Sequence, residues 1–361
     1  MKNVVIIGAG PVGLWSAIQV KKRNPDVKIT LYEKYTTYKR NHVLKIQHSS
    51  LFFGASRWSN VEDEMFFNNV FGVTRRRVKR TPLKKSFITT KSIESNLRQW
   101  VLDLGCEIVY EEVQTLSDLA LRHDEATPVI IADGAHSKLR KEILGDRDAI
   151  RTDLQHIVEL KSQLKCTPDT LKANNVNSAI KSQLNSLGFE YVGKANDNLT
   201  PINLRLFISE ELYNEVPDAT FKSPITDPAL LPIALQDDLS RYAKLHGLSV
   251  DELFVEGKVS KLQLSVYHAT QFAKTVGKRH CYLVGDAAMG VPYFRSLNCG
   301  FVLASRLAMI MEHCESLTES VARYNQYSVI HRKAEESLAK GKNRVINTYN
   351  GLRKLYKING M

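Results

Sequence analysis

The stretch that decides the fold is Asn3–Gly13, which reads NVVIIGAGPVG. Its apolar, β-branched first half is typical of a strand that is buried on both faces. The glycines that follow keep a G-x-G-x-x-G pattern. Gly8 permits a tight turn, Gly10 lets the backbone approach a pyrophosphate, and Gly13 allows a helix to pack closely on the strand. The stretch therefore predicts a strand, a turn and a helix whose first amide groups attract phosphate.

The next predicted strand, Ile29–Glu33, supplies a second part of such a site. It ends in Glu33, which lies 20 residues after Gly13. That spacing suits a carboxylate that accepts hydrogen bonds from an adenosine ribose. A lone G-x-G-x-x-G pattern is weak evidence, so the kind of dinucleotide has to be decided elsewhere in the chain.

Two later segments indicate which dinucleotide is bound. Val129–Gly134 (VIIADG) and Cys281–Asp286 (CYLVGD) each predict a buried strand that ends beside an aspartate. An acid in that position can hydrogen-bond the hydroxyl-rich ribityl chain of a flavin, which a nicotinamide dinucleotide lacks. A short helix over 137–144, ended by Gly145, is expected after the first of them. The three motifs together predict that distant segments converge on one FAD molecule.

These motifs resemble the flavoprotein monooxygenases of the aromatic-hydroxylase type, known as group A. Ser137 and Arg140 follow the Asp-Gly pair, as they do in that family. Glu33-Lys34, Arg40-Asn41, Val43-Leu44 and the 88–91 segment are similar to MICAL-type monooxygenase domains. The resemblance implies FAD contacts by a set of residues spread over the motifs: Gly8, Gly10, Pro11, Val12, Gly13, Glu33, Lys34, Arg40, Asn41, Lys91, Asp133, Gly134, Gly285, Asp286, Pro292, Leu297 and Asn298. Lys91 stands where relatives usually have arginine, so its contact would be a point charge.

The segment 292–300 (PYFRSLNCG) departs from the family. It keeps the proline, but Arg295 and Ser296 replace expected glycines. Arg295 has two interpretations. Its cation either stabilises the anionic reduced ring or an acidic substrate, or it points to solvent or pairs with a carboxylate on the substrate domain. Asn298 and the amides around it are expected at the flavin pyrimidine, where the helix dipole is positive. Arg295 and Asn298 are the candidate catalytic residues.

The activity implied by the resemblance is oxygen insertion. NAD(P)H would act as a transient reductant of FAD, and a flavin peroxide formed with O2 would transfer one oxygen atom to a small molecule or a protein side chain. Two alternatives stay open: a flavin reductase or dehydrogenase of the same fold, and an FAD-holding interaction protein with little redox activity. The cofactor carries this chemistry, so the lack of a catalytic triad excludes none of them.

The length and composition of the chain favour an α/β enzyme with two domains. It has 361 residues, of which 43% are hydrophobic and 24% charged. We expect a discontinuous Rossmann-like FAD-binding domain (1–48, 86–150, 278–315), an inserted mixed β-sheet substrate domain (49–85, 151–277) and a helical C-terminal segment (316–361). Alternation predicts strands over 203–208 and 261–267, and amphipathic spacing predicts a helix over 233–246.

The net charge is +12, and part of the excess of basic residues lies in clusters along the sequence. One cluster is interpreted either as a solvated loop or as a surface for an acidic partner or for the 2′-phosphate of NADPH: Arg75, Arg76, Arg77, Lys79, Arg80, Lys84 and Lys85. A nucleic-acid partner is not expected, because no nucleic-acid fold signature accompanies the charge.

Cysteine and histidine spacing predicts neither a metal site nor disulfides. The five cysteines form no C-x-x-C pair, and the ten histidines no H-x-x-x-H arrangement. Reduced thiols without a secretion signal indicate a cytoplasmic protein. No run of about 18 apolar residues indicates a membrane span.

Overall fold

The computed structural model describes residues 1–37, 43–55, 61–165, 183–192, 199–292 and 295–358. The chain divides into two compact units. The first comprises residues 1–152 and 266–337, and the second comprises residues 153–265 and 338–361. The chain crosses between the units three times.

Strands and helices are numbered here in chain order over the described residues. The strands are β1 (Asn3–Ile7), β2 (Lys28–Tyr32), β3 (Val43–Gln47), β4 (Lys85–Thr89), β5 (Glu107–Val109), β6 (Val129–Ile131), β7 (Ala149–Leu164), β8 (Leu187–Val192), β9 (Thr200–Ile208), β10 (Lys258–Ala269), β11 (Ala273–Val276), β12 (Arg279–Leu283) and β13 (Met289–Gly290). The helices are α1 (Pro11–Arg23), α2 (His48–Ala55), α3 (Val61–Phe71), α4 (Arg75–Arg80), α5 (Thr90–Asp103), α6 (Lys138–Leu144), α7 (Glu210–Glu215), α8 (Ile233–Leu245), α9 (Val250–Phe254), α10 (Ser296–His313) and α11 (Leu317–Ile358).

The first unit is built on a six-stranded sheet in the order β11-β12-β6-β1-β2-β5. The pairings β12-β6, β6-β1, β1-β2 and β2-β5 are all parallel. In this register Ile7 lies level with Ile131, and Ile131 lies level with Leu283. The three sequence motifs begin just after these residues. Because the strands are parallel, all three motifs emerge at the same edge of the sheet.

An aromatic cluster holds the helices of the first unit together. Trp15 of α1 is fully buried, and Phe67, Phe71 and Phe301 surround its ring at centroid distances of 5.3–6.3 Å. The indole Nε1–H donates a 2.9 Å hydrogen bond to Ser305 Oγ on α10. Residues 49–85, which the sequence analysis assigned to the substrate domain, therefore lie in the first unit. Phe67 and Phe71 complete this core, which hydrophobic periodicity alone does not reveal.

The second unit is an antiparallel sheet with helices on it. β8 pairs with β9, and β9 with β7, both antiparallel, and β10 follows β7 in the order. Leu160, Leu204, Leu235 and Tyr242 are among the buried residues that join the sheet to α8. The predicted strands over 203–208 and 261–267 are confirmed as parts of β9 and β10, and the predicted helix as α8. Alternating and helical periodicities identified them because each element buries one face.

The helical C-terminal segment is confirmed as one long helix, α11. Its first part packs in the first unit, where buried Tyr324 donates a 2.9 Å hydrogen bond to Leu283 O. Asn325 Oδ1 accepts the backbone N–H groups of Phe272 and Ala273, each at 2.9 Å. Among the described residues, no helix combines the length and the apolarity needed to cross a bilayer.

Candidate cofactor site

The first glycine motif has the geometry that its sequence predicts. Gly8 adopts φ of +96°, a conformation that favours glycine, and its N–H donates to Tyr32 O at 2.7 Å. A Cβ on Gly13 would lie 1.9 Å from Gly8 O, so α1 packs directly against the turn. A Cβ on Gly10 would meet no described atom within 4 Å, and no described side chain caps α1. The space beside Gly10, at the start of α1, is therefore open among the described residues.

Val12 joins the first motif to the third. A Cβ on Gly300 would lie 2.5 Å from Val12 Cγ2, and a Cβ on Gly285 would lie 3.1 Å from Val12 Cγ1. The isopropyl group thus fills the room that two distant glycines leave. This packing brings the start of α1, the turn after β12 and the first turn of α10 together.

Glu33 is fixed beside the glycine turn. Its Oε2 accepts the Ala9 N–H at 2.8 Å, and its Oε1 accepts the Tyr35 N–H at 2.9 Å. Each carboxylate oxygen keeps a further lone pair for a hydroxyl donor. Lys34 is exposed, with Nζ 4.0 Å from Glu112 Oε1.

Asp133 contains a buried polar atom that lacks a partner. Its Oδ1 is buried and accepts no hydrogen bond from the described residues. Burial raises the pKa of this carboxyl, although hydrogen bonding to Ser137 opposes the shift. A buried unpaired oxygen is costly, so native proteins retain one mainly where a ligand or water completes it. Together with the uncapped start of α1, this atom fits a phosphate- and hydroxyl-bearing cofactor such as FAD.

An Asp133→Asn substitution is expected to stabilise the FAD-free protein at neutral pH. The raised pKa means that folding disfavours the ionised form, so this carboxylate lowers stability above its ordinary pKa of about 3.8. Below that pH the group is protonated in both the folded and unfolded states, and the gain should vanish. Urea unfolding of both proteins as a function of pH measures this. A gain that did not depend on pH would contradict the assignment.

Arg140 is a residue of this region whose role the sequence analysis missed. It is 6% exposed, and its Nε donates to Asp148 Oδ2 at 2.5 Å. Its other nitrogens donate to Ala135 O at 3.2 Å and to Ala287 O at 3.1 Å. One guanidinium thus joins the turn after β6 to the turn after β12. The sequence signal for this role was the position of Arg140 three residues after Ser137, which by itself indicated only a resemblance to the flavoprotein monooxygenases.

Asp286 is held by two neighbours. Ser296 donates a short hydrogen bond to Asp286 Oδ1, and Tyr267 donates through its hydroxyl to Asp286 O at 2.9 Å. The Tyr267 ring occupies space that a Cβ on Gly290 would need, since that Cβ would lie 2.2 Å from Tyr267 Cε1. Ser296, which departs from the family pattern, therefore positions the third-motif aspartate. Pro292 and Leu297 lie nearby in the chain and are half-buried.

Arg295 and Asn298 make contacts within the protein. Arg295 donates from Nε to Glu335 Oε2 at 2.7 Å and from an Nη to Glu335 Oε1 at 2.6 Å, which raises the pKa of its guanidinium. The partner carboxylate lies on α11, not on the predicted substrate domain. The buried Asn298 accepts through Oδ1 from Gln47 N at 2.7 Å and from Ser50 Oγ at 2.9 Å. The catalytic roles of Arg295 and Asn298 stay predictions.

The remaining sequence-predicted residues are an exposed lysine, a basic cluster and two residues outside the part of the chain that the structure describes. Arg40 and Asn41 fall outside the described residues. Lys91 is exposed in the first turn of α5. The arginine-rich cluster is partly a helix, α4, where the sequence analysis allowed a loop. Thr74 Oγ1 accepts Arg77 N–H at 3.2 Å and Val78 is buried, which together stabilise this single turn and a half.

Comparisons with known proteins support the fold. No family model matches the chain, and no curated protein matches it. The Diels-Alderase PyrE3 of pyrroindomycin biosynthesis is similar over 100% of this chain and 78% of its own, with a TM-score of 0.61 and 16% identity. CtdE, solved with FAD and a substrate, matches over 94% of this chain and 89% of its own, with a TM-score of 0.59 and 13% identity.

A third solved structure, 2-methyl-3-hydroxypyridine-5-carboxylic acid oxygenase, matches over 100% of this chain and 94% of its own, with a TM-score of 0.55 and 15% identity. Identities this low establish the fold and nothing finer. The predicted fold class is confirmed: a parallel α/β sheet, a separate antiparallel sheet and a helical C-terminus form a fold that is similar to those of CtdE and the oxygenase.

Proposed function

We propose that this chain is an FAD-dependent oxidoreductase, and specifically a monooxygenase that uses NAD(P)H and O2. The observation that carries the proposal is the meeting of the three motifs at one edge of the sheet, where no described side chain caps α1 and no described residue hydrogen-bonds Asp133 Oδ1. The fold similarity to CtdE, which was solved with FAD, supports the same cofactor. Similarity to an oxygenase supports oxygen insertion.

Each part of the site has a role in holding FAD. The first amides of α1 would bind the pyrophosphate, and Glu33 the adenosine ribose. Asp133 and the Asp286 region would bind the ribityl hydroxyls, with Asp286 held in place by Ser296 and Tyr267. FAD supplies hydride acceptance and the activation of O2; the chain binds it, orients it and excludes water.

Among the described elements, the N-terminus of α10 would contribute positive potential near the flavin ring. Arg295 and Glu335 form a pair whose charges largely cancel. The first turn of α10 contains no acidic residue, and no described side chain caps it. The N-terminal dipole of this helix therefore offers partial positive charge for an anionic reduced ring.

Loading with FAD and oxygen uptake test the proposal. The purified protein, incubated with excess FAD and freed of unbound flavin, should release FAD on denaturation, oxidise NADH or NADPH, and consume O2 when a substrate is present. Retention of no FAD would contradict the whole assignment. FAD that NAD(P)H reduces without oxygen transfer would instead indicate a reductase, and firmly held FAD that neither nucleotide reduces would indicate an interaction protein.

NADPH is the donor that the charge of the chain favours. Arg76 and Lys79 lie three residues apart and exposed on α4. If this surface receives the 2′-phosphate, the double charge reversal Arg76→Glu/Lys79→Glu should raise KM for NADPH about tenfold. KM for NADH should stay unchanged, because NADH lacks that phosphate. Equal changes with both nucleotides would refute the role of the cluster. We also propose that the N-terminal part belongs to the MICAL-type branch, because of Glu33-Lys34, Arg40-Asn41 and Val43-Leu44. Unpaired cysteines in the sequence support a cytoplasmic location.

A further inference from the structure

Three side chains with metal-ligand chemistry meet between α10 and α11. Ligand atoms of Cys299, His331 and Glu335 all lie within 4.8 Å of one another. His331 and Glu335 are four residues apart on α11, so they project from the same face of that helix. Cys299 is 2% exposed in the first turn of α10. The cluster thus joins two helices beside the candidate cofactor site.

The cluster holds an imidazole nitrogen that lacks a partner. His331 Nε2 is buried and forms no hydrogen bond with the described residues. The ring stacks on Tyr327, with a centroid distance of 5.9 Å and an interplanar angle of 16°. A neutral, oriented imidazole is the form that binds metal ions.

Arg295 orients the carboxylate of Glu335. It donates to both oxygens of Glu335, at 2.7 and 2.6 Å, and so fixes the carboxylate plane. A carboxylate offers about four lone-pair positions, so two remain after this bidentate contact, and one of them accepts the Cys299 S–H. Partners of this kind orient metal ligands in many sites. The guanidinium also balances part of the negative charge that a thiolate would add.

We propose that Cys299, His331 and Glu335 bind one Zn²⁺ ion. One sulfur, one nitrogen and one oxygen ligand suit this borderline-soft cation, and three protein ligands leave a fourth position for water. When the Zn–S bond forms, the Cys299 thiol releases its proton to solvent. Tetrahedral coordination places ligand atoms about 3.5 Å apart, so modest side-chain adjustments complete the site. This inference is independent of the proposed redox activity.

The experiment uses the full-length protein, stripped of metal by a chelator and tested both with and without added FAD. Titration with Zn²⁺, followed by dialysis and metal analysis, should give one zinc per chain. Titration with Co²⁺ should produce a thiolate-to-cobalt charge-transfer band in the difference spectrum. Cys299→Ser and His331→Asn should each weaken zinc binding by more than the ~10–100-fold that loss of an outer-shell partner costs. Cys314→Ser, at a half-buried thiol beyond the end of α10, is the matched control.

Either of the following two results would overturn the proposed zinc site. The first is that wild-type protein retains no stoichiometric zinc, or binds Co²⁺ without the thiolate-to-cobalt band. Variants that bind zinc as tightly as wild type show that the cluster is a hydrogen-bonded part of the core. Circular dichroism and FAD content of each variant establish that it folds, and the wild-type cobalt spectrum requires no variant. FAD retention is measured separately, so failure of the zinc site and failure of the proposed function are distinguishable.

Discussion

Gly13→Ala is expected to abolish FAD retention and to lower the free energy of unfolding by about 3 kcal/mol or more. The added methyl would lie 1.9 Å from Gly8 O, which belongs to the backbone and cannot rotate away. Helix α1 would have to move off the turn, and with it Val12, which packs on Gly285 and Gly300. Urea unfolding and the FAD content of the purified variant measure the two effects.

Gly10→Ala is the matched control, at the N-cap of α1 and three residues before Gly13. Its added methyl would meet no described atom within 4 Å, and its φ of −70° is accessible to alanine. The FAD-free variant should therefore unfold within about 0.5 kcal/mol of wild type. FAD affinity should still fall more than about tenfold, because the methyl occupies the approach to the pyrophosphate. Unchanged FAD affinity in this variant would contradict the placement of the cofactor.

Arg140→Met is expected to lower the free energy of unfolding by about 3 kcal/mol or more. The substitution keeps most of the aliphatic bulk but removes the partner of Asp148, which is 9% exposed. A buried carboxylate left without its cation costs far more than a surface pair. The turns after β6 and β12 also lose their common donor, so FAD should be retained less firmly. Chemical denaturation with and without FAD measures both consequences.

Arg122→Met provides the comparison at an exposed ion pair. Arg122 and Glu111 are 50% and 43% exposed, with 2.6 Å between Nη1 and Oε2. Solvent screens such an exposed pair, which therefore contributes little to stability, so this variant should behave almost as wild type. Equal losses of stability in the two methionine variants would show that the link between the two turns contributes nothing beyond a surface contact.

Much of the fold follows from local sequence patterns. The strand after Asn3, the turn at Gly8 and the start of α1 were predictable because glycine conformation and β-branched runs act over a few residues. The alternating strands β9 and β10 and the amphipathic helix α8 were predictable for the same reason. The place of residues 49–85 in the first unit was not predictable, because the burial of Phe67 and Phe71 depends on Trp15, far away in the chain.

The sequence by itself determined that three motifs follow buried strands, in an order that suits FAD, and that a helical segment follows residue 316. The tertiary structure decided which side chains those motifs engage: Arg295 with Glu335, Asn298 with Gln47, and Arg140 with the turns after β6 and β12. Backbone preferences and hydrophobic periodicity are properties of neighbouring residues. A hydrogen bond between segments tens or hundreds of residues apart exists only once packing has set the distance between them.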